Sequence, residues 1–380
     1  MSEASEGTGR RMPDDGPITV STRDDGELQV RLAEWLSGRV GGPAELTCFE
    51  RPQGNGMSSD TVLFDAAWSA GGGEAGSFVA RLAPSGDAFP VFPTYDIEAQ
   101  AKVMRLVGER TGVPVPTVRW FEPSDDHLGT PFLVMERVEG RVPPDVMPYP
   151  MGSWVSEASE AERDAMQAAS VGVLAGIHGV EAAPGELDFV DAGGPGATAL
   201  RRHVDGERAY HAWVCEGLET PLLDRSFAWL EEHWPESADA APPVLNWGDA
   251  RIGNVIYRGF EPVGVLDWEM ASVGPREIDL GWMIFLHRFF QDMAEDFGMP
   301  GLPTFFERDS VAETYARLSG HEPRDLDWFI TYAAARHGVI MTRVMGRQVH
   351  FGEREAPDDP EEFVMHRRSL ERLLDGTYYS

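Results

Sequence analysis

Lysine occurs once in this 380-residue chain, at Lys102, so arginine carries nearly all of the positive charge. We read that scarcity as a codon-usage bias, and any role usually given to lysine must here fall to an arginine. Cations are few altogether: 32 Lys and Arg stand against 63 Asp and Glu, a formal net charge of −31. That balance argues against nucleic acid or an anionic membrane as partner, because phosphate-rich surfaces recruit basic ones. It leans faintly toward a cationic substrate, although general acidity more often serves solubility or a salty cytoplasm. Cys48 and Cys215 are the only cysteines, too few for a disulfide framework or a thiolate metal site, which fits a reducing compartment. No apolar run approaches the length needed to span a bilayer. The N-terminal stretch MSEASEGTGRRMPDDGPITVSTRDDGE lacks the apolar core of a secretion signal. The expectation is a soluble cytoplasmic protein of undetermined oligomeric state. A G-x-x-x-x-G-K-[ST] phosphate loop and a Rossmann G-x-G-x-x-G after a strand are also missing, which excludes two common nucleotide-binding folds.

What is present divides into two textures. Residues 1–25, rich in Gly, Ser, Asp and Arg, are expected to form a flexible tail. Leu28, Leu32, Trp35 and Leu36 then recur at helical spacing before Gly41 and Gly42. Apolar, β-branched-rich runs predict strands over Glu45–Glu50, Thr61–Trp68, Ser77–Ala83, Thr117–Glu122 and Pro131–Val138, with a helix over Asp96–Arg110. That order implies a small antiparallel sheet with one packed helix. After the Pro-rich EGRVPPDVMPYP the pattern turns helical: Ser159 and Glu162 form a capping-box signature before a long helix through His178. Further helices are expected around 199–216, 222–233, 277–290, 310–318, 326–349 and 361–374. The chain thus reads as an α+β, two-lobed protein with an N-terminal lobe at 26–138 and a mostly helical C-terminal lobe at 139–380.

One stretch of the second lobe is not helical. NWGDARIGNVIYRGFEPVGVLDWE (246–269) reads as two short strands, 254–257 and 263–267, joined by turn residues. In an antiparallel hairpin Asn254 and Asp267 meet at the open end, with Cα atoms about 5 Å apart. An amide oxygen and a carboxylate there suit Mg²⁺, a hard cation that takes few protein ligands and completes its shell with water and phosphate. Asp249, on a glycine-containing loop, is placed to accept a proton from an attacking hydroxyl. Arg251 is expected to lie against a transferring phosphoryl group and offset its charge. D-x-x-x-x-N recurs by chance; followed directly by strand, turn, strand and Asp it is much rarer, and it is the catalytic-loop arrangement of kinases.

The stretch WGDARIGNVIY…VGVLDWEMASVGPREIDLGW resembles the aminoglycoside phosphotransferase and choline kinase-like family, whose pattern is H-G-D-x-x-x-x-N followed by I-D-W/F-E. Trp247 stands where that pattern has His, as in the W-G-D branch that includes the kinase-like domains of acyl-CoA dehydrogenase relatives and bacterial phosphotransferase-family proteins. The resemblance covers roughly residues 28–290. It implies a protein kinase-like fold whose large lobe carries a catalytic β-hairpin, and an ATP- and Mg²⁺-dependent transfer of phosphate to a hydroxyl of a small molecule. The acceptor it implies is of an aminoglycoside or a hydroxyacyl-CoA type. It assigns Asp249 as base, Asn254 and Asp267 as Mg²⁺ ligands, and Asp279 with Trp247 as supports of the catalytic loop. Glu269 falls near metal or substrate without a defined role. In the small lobe it implies a phosphate-covering loop at Gly54, Gly56, Ser58 and Ser59. Arg81 takes the place of the third-strand lysine, with Glu98 as its helix partner. Met135 is expected near adenine, and the backbones of Glu136 and Val138 at its edge.

Blander explanations stand beside these. A glycine-serine turn is commonly only a hairpin turn, and strand arginines are usually solvated. His203 and His211 have no converging carboxylates and read as ordinary histidines rather than zinc ligands. Large aromatics are more often core, which assigns Trp213 to packing and leaves Trp282 evenly balanced between core and substrate pocket. Two other functions remain open to the same residues: a nucleotide-binding module without catalysis, and a metal-dependent phosphohydrolase.

Overall fold

The computed structural model describes residues 21–52, 58–191 and 194–379. Gly54 and Gly56 therefore lie outside the described residues, as do residues 1–20 of the expected tail. From Ser21 onward the chain is anchored: Ser21 Oγ and Arg23 Nη1 donate to Asp60 at 2.7 Å, and Arg23 also reaches the Ala83 carbonyl at 3.0 Å.

Helix α1 (Asp25–Val40) is capped by the Asp24 carboxylate, which accepts from Glu27 N, and ends at Gly41 in the left-handed region. Strands β1 (Ala44–Glu50), β2 (Asp60–Trp68), β3 (Glu74–Leu82), β4 (Val118–Glu122) and β5 (Phe132–Glu136) form an antiparallel sheet in the order β1-β2-β3-β5-β4. Helix α2 (Ile97–Arg110) intervenes between β3 and β4.

Strand alternation decides what each face of this sheet does. Phe78, Ala80 and Leu82 of β3, with Phe132 and Val134 of β5, pack against Leu28, Leu32, Trp35 and Leu36 of α1. Val79, Leu133 and Met135 point the other way and join α2 and the large helical core. Arg81 shares the parity of Val79, so it is directed toward the second lobe. The sheet therefore carries a helix on each face, where the sequence pattern implied one packed helix.

The second lobe is built from α3 (Glu160–His178), α4 (Ala199–Val214), α5 (Pro221–Glu232), a single turn α6 (Glu236–Asp239), α7 (Glu277–Asp296), α8 (Arg308–Ser319), α9 (Leu326–His350) and α10 (Arg367–Leu374). The capping box is formed at the start of α3, with Ser159 Oγ accepting from Glu162 N and the Glu162 carboxylate accepting from Ser159 N. The expected helix at 361–374 is instead a 3-10 turn (Pro360–Phe363) followed by the shorter α10.

Two small β-ribbons sit among these helices. One pairs β6 (Val244–Asn246) with β9 (Ser272–Gly274); the other pairs β7 (Val255–Arg258) with β8 (Glu261–Val265). The first ribbon clamps the two ends of residues 247–271, which brings the loops before β7 and after β8 to the same end of the hairpin. The hairpin docks on both lobes: Val265 N donates to the Pro114 carbonyl, and Arg141 and Tyr257 exchange backbone hydrogen bonds, each 2.8 Å long. No described helix is long and apolar enough to cross a membrane.

Candidate active site

The loop before β7 is held from below by a buried carboxylate. Asp279, in the first turn of α7, accepts from the backbone N–H groups of Trp247 at 2.7 Å and Gly248 at 2.8 Å. His178 Nε2, at the end of α3, lies 3.1 Å from the same carboxylate, and its Nδ1 lies 2.7 Å from the Tyr315 hydroxyl. Asp279 thus braces the loop that leads into Asp249. His178 was not assigned this role; only its place at a helix end hinted at it.

Trp247 is fully buried, and its indole N–H donates to the carbonyls of Leu266 at 2.8 Å and Asp267 at 3.2 Å. It ties the loop before the hairpin to the loop after it, an N–H function that a histidine ring can also supply. Gly248 has φ 93°, and a Cβ there would lie 1.9 Å from the Met270 carbonyl oxygen. Only glycine lets the two loops pass this closely.

Asp249 has both carboxylate oxygens engaged. Trp282 Nε1 donates to Oδ1 at 2.7 Å, Asn254 Nδ2 donates to Oδ2 at 2.6 Å, and Arg251 Nε lies 3.2 and 3.0 Å from the two oxygens. These donors fix the carboxylate's plane while it remains an acceptor. Trp282 is 2% exposed, so it serves Asp249 rather than offering a surface to a ligand.

Arg251 departs from expectation. Its guanidinium is buried between Asp249 and Asp145, with Nη1 donating to Asp145 Oδ2. Burial opposes its charge, yet the two carboxylates hold its pKa above the ordinary value. It neutralises the loop's own carboxylate instead of lying open for a phosphoryl group. Asp145, in the Pro-rich crossing segment, carried no motif that could have revealed it.

The hairpin register also differs by one residue. Val255 pairs with Val265, and Leu266 N donates to Asn254 O at 2.9 Å, so Asn254 faces Leu266 and Asp267 lies one step beyond. Asn254 turns its amide nitrogen to the Asp249 side chain and carbonyl, and its Oδ1 has no hydrogen-bond partner among the described residues. Asp267 has φ 59°, the left-handed region that non-glycine residues seldom adopt. The two residues supply hard oxygen donors of the kind Mg²⁺ takes, few enough to leave places for water and phosphate. Among the described residues no group of three or more His, Cys, Asp or Glu side chains is arranged to hold a metal.

Across from Asp267 stands Arg81. Its Nη2 donates to the Asp267 carboxylate, to Glu269 Oε2 at 3.0 Å and to Ser59 Oγ at 3.0 Å. Ser59 Oγ donates to Glu269 at 2.7 Å, and Ser58 Oγ donates to the other Glu269 oxygen. Burial and the charge of Asp267 push the Glu269 carboxyl up to about 7, against the pull of Arg81 and the two serines. Burial opposes the Arg81 charge, while Asp267 and Glu269 keep its pKa above the ordinary value. Arg81 Nε is buried without a hydrogen-bond partner among the described residues, an open donor beside this cluster. The structure thus gathers Ser58, Ser59, Arg81, Asp267 and Glu269, which are far apart in sequence.

Glu98 is not part of the cluster. It pairs with Lys102 one turn along α2 at 2.9 Å and is 54% exposed in its side chain, so the expected ion pair with Arg81 is replaced by Asp267 and Glu269. Met135 is buried on the inward face of β5. Glu136 has its N–H committed to Thr117 O at 3.0 Å and its carboxylate to Arg119. The Val138 side chain abuts the hairpin at Gly264. His203 lies in the core with Nδ1 2.7 Å from the Tyr332 hydroxyl.

The profile of the phosphotransferase enzyme family matches residues 51–321, well over half of the chain. Among curated proteins, mouse acyl-CoA dehydrogenase family member 10 is 29% identical over 337 residues, 84% of this chain and 28% of its own length. Human acyl-CoA dehydrogenase family member 11 is 27% identical over 260 residues, 68% of this chain and 30% of its own. The chain therefore spans about a third or less of these relatives. Among solved structures, a Ralstonia eutropha protein described as an aminoglycoside phosphotransferase superposes with TM-score 0.63 at 22% identity, covering 92% of this chain and 97% of that one. A thermostable mutant of the aminoglycoside phosphotransferase APH(4)-Ia, in ternary complex with ADP and hygromycin B, gives TM-score 0.53 at 14% identity over 92% and 99% of the two chains. These likenesses establish a kinase-like fold of two lobes, and with the matched profile they place the chain in the phosphotransferase enzyme family.

Proposed function

We propose that this chain transfers the γ-phosphoryl group of ATP, with Mg²⁺, to a hydroxyl of a small molecule. The observation that carries the reading is the Asp249 carboxylate, oriented by Trp282, Asn254 and Arg251 at the same hairpin end as the Arg81–Asp267–Glu269 cluster. When bound, Mg²⁺-ATP supplies the phosphoryl group and screens part of its charge. Asp267 and Asn254 Oδ1 would hold the metal; Arg81, Ser58 and Ser59 would face the phosphates, and Met135 with the backbone at Glu136 and Val138 the base.

For transfer, the acceptor oxygen forms a bond to phosphorus as the bond to the leaving ADP oxygen breaks. The acceptor's proton passes to Asp249. Positioning and charge neutralisation carry most of such a reaction. Arg251 holds Asp249 in place, while Arg81 offsets Asp267 and Glu269 until nucleotide enters. An acceptor of aminoglycoside or hydroxyacyl-CoA type is compatible with the family.

The test is consumption of ATP over a panel of alcohols with and without Mg²⁺, using Asp249→Asn as control. A Mg²⁺-dependent turnover that falls by about 10²-fold or more in Asp249→Asn is expected for loss of a general base. Nucleotide binding without turnover on any alcohol would favour a binding module. Phosphate release with water as the sole acceptor would favour a phosphohydrolase.

A further inference from the structure

The face of α9 nearest the site carries arginines at 336, 343 and 347, spaced to share one side of a helix. Arg336 sits at the catalytic end, with its guanidinium 4.9 Å from the Trp282 ring and its Nε 2.8 Å from Glu207. Like Arg81 and Arg251, it has a carboxylate to answer its charge.

Arg343 does not. Its guanidinium carbon lies 3.6 Å from the centre of the Phe89 ring and 4.3 Å from that of Trp213, and its Nε donates to the Pro90 carbonyl at 2.9 Å. No described carboxylate lies within ion-pair distance, in a chain with twice as many acidic as basic residues. Both Nη groups are left without a hydrogen-bond partner among the described residues. Burial pulls this guanidinium below its ordinary pKa, whereas Arg81, Arg251 and Arg336 are all raised.

The surroundings are built rather than loose. The Tyr210 hydroxyl donates to the Val91 carbonyl at 3.0 Å, and the Tyr95 hydroxyl accepts from Val91 N and Phe92 N at 3.1 and 3.2 Å. Having accepted twice, the Tyr95 hydroxyl keeps its own proton to donate, and no described residue takes it. Arg336, on the same face of α9, lies 4.9 Å from the Trp282 ring that donates to Asp249, so one helix borders both this cluster and the Asp249 loop.

We propose that the acceptor bears an anionic group, phosphate or carboxylate, which Arg343 binds between the Phe89 and Trp213 rings with the Tyr95 hydroxyl as a second donor. This rests on the phosphotransferase reading. Seven residues separate Arg336 from Arg343, a rise of about 10 Å along α9. A planar guanidinium held by two rings is suited to fork both oxygens of either anion.

The experiment is calorimetric titration of the protein, first with Mg²⁺-ADP and then, with ADP saturating, with matched probes. Glycerol 3-phosphate is compared with glycerol, 3-hydroxybutyrate with 1,3-butanediol, and 3-amino-1-propanol serves as the cation. An anionic probe should bind about tenfold or more tightly than its neutral partner, the gain expected of one charged hydrogen-bonded contact. Arg343→Gln should erase that preference with ADP affinity unchanged, and Arg343→Lys should restore part of it. The phosphate and carboxylate pairs distinguish which anion is preferred. Equal binding of neutral or cationic probes, or a preference that survives Arg343→Gln, overturns the proposal. Failure of ADP to bind would sink the nucleotide reading alone. The anion preference is then read without ADP, and should disappear in Arg343→Gln but persist in Arg81→Met.

Discussion

Replacing Asp279 with Asn exchanges one carboxylate oxygen for an NH₂ group and removes one charge, at a position with no exposure to solvent. The carboxylate accepts from Trp247 N, Gly248 N and His178 Nε2. An amide in the same place can accept one of the two backbone N–H groups through its oxygen. Its NH₂ then faces the other N–H, donor against donor. Losing one hydrogen bond to a charged group removes about 1.5–3 kcal/mol, and a buried N–H left without an acceptor adds about 1–3 kcal/mol. The sum, about 2.5–6 kcal/mol, is a large part of the stability of an ordinary domain. Urea unfolding followed by tryptophan fluorescence measures it. Because Trp247 and Gly248 lead directly into Asp249, displacement of the loop by about 1 Å should also lower turnover by about 10²-fold in the folded variant. His178→Ala combined with Asp279→Asn should fall short of the sum of the single changes, since both act on one network. A stability loss below about 1 kcal/mol with turnover intact would refute the bracing role.

Three further outcomes are expected. Gly248→Ala should cost several kcal/mol or prevent folding, because its Cβ meets the Met270 carbonyl; a variant as stable as the parent in urea would contradict the close passage of the two loops. Asp267→Ala should abolish the Mg²⁺ dependence of ATP binding, and a calorimetric affinity for Mg²⁺-ATP equal to that of the parent would count against Asp267 as a metal ligand. Acid should destabilise the protein through its buried histidines: burial lowers His287 to about 3, His366 to about 4, and His203 and His337 well below the usual value. A base whose folded pKa is depressed gives its full stability above the unfolded pKa, near 6.5, and loses it as pH falls toward the folded value. Each of the four should cost about 1 kcal/mol by pH 5.5; a urea midpoint unchanged between pH 7.5 and 5.5 would show that these side chains are not buried neutral.

Much of the architecture was legible because it is written in local patterns. The alternating run of β2, the short apolar runs of β3 and β5, the Ser159–Glu162 capping box and the helical spacing of α7 and α9 are each set by neighbours a few residues away. The hairpin that gathers Asp249, Asn254 and Asp267 was legible for the same reason: the three fall within nineteen positions of the chain and flank one tight turn. Asp279 followed them closely enough for its resemblance to carry a role.

The pairing of charges was decided by the tertiary fold. Glu98 was a plausible partner for Arg81 by its place on α2, but helix rotation turned it toward Lys102 and solvent. The fold brought up Asp267 and Glu269 instead, more than 180 residues away in sequence. Asp145 and Trp282 reached Asp249 and Arg251 through packing between segments that share no motif. Arg343 met the Phe89 and Trp213 rings and the Pro90 carbonyl, with no carboxylate among the described residues to pair it. Backbone periodicity and hairpin register depend on short-range sterics, which the sequence by itself determines. Which buried charge meets which counter-charge depends on where whole lobes bring distant side chains, because desolvation makes that choice only after the core has formed.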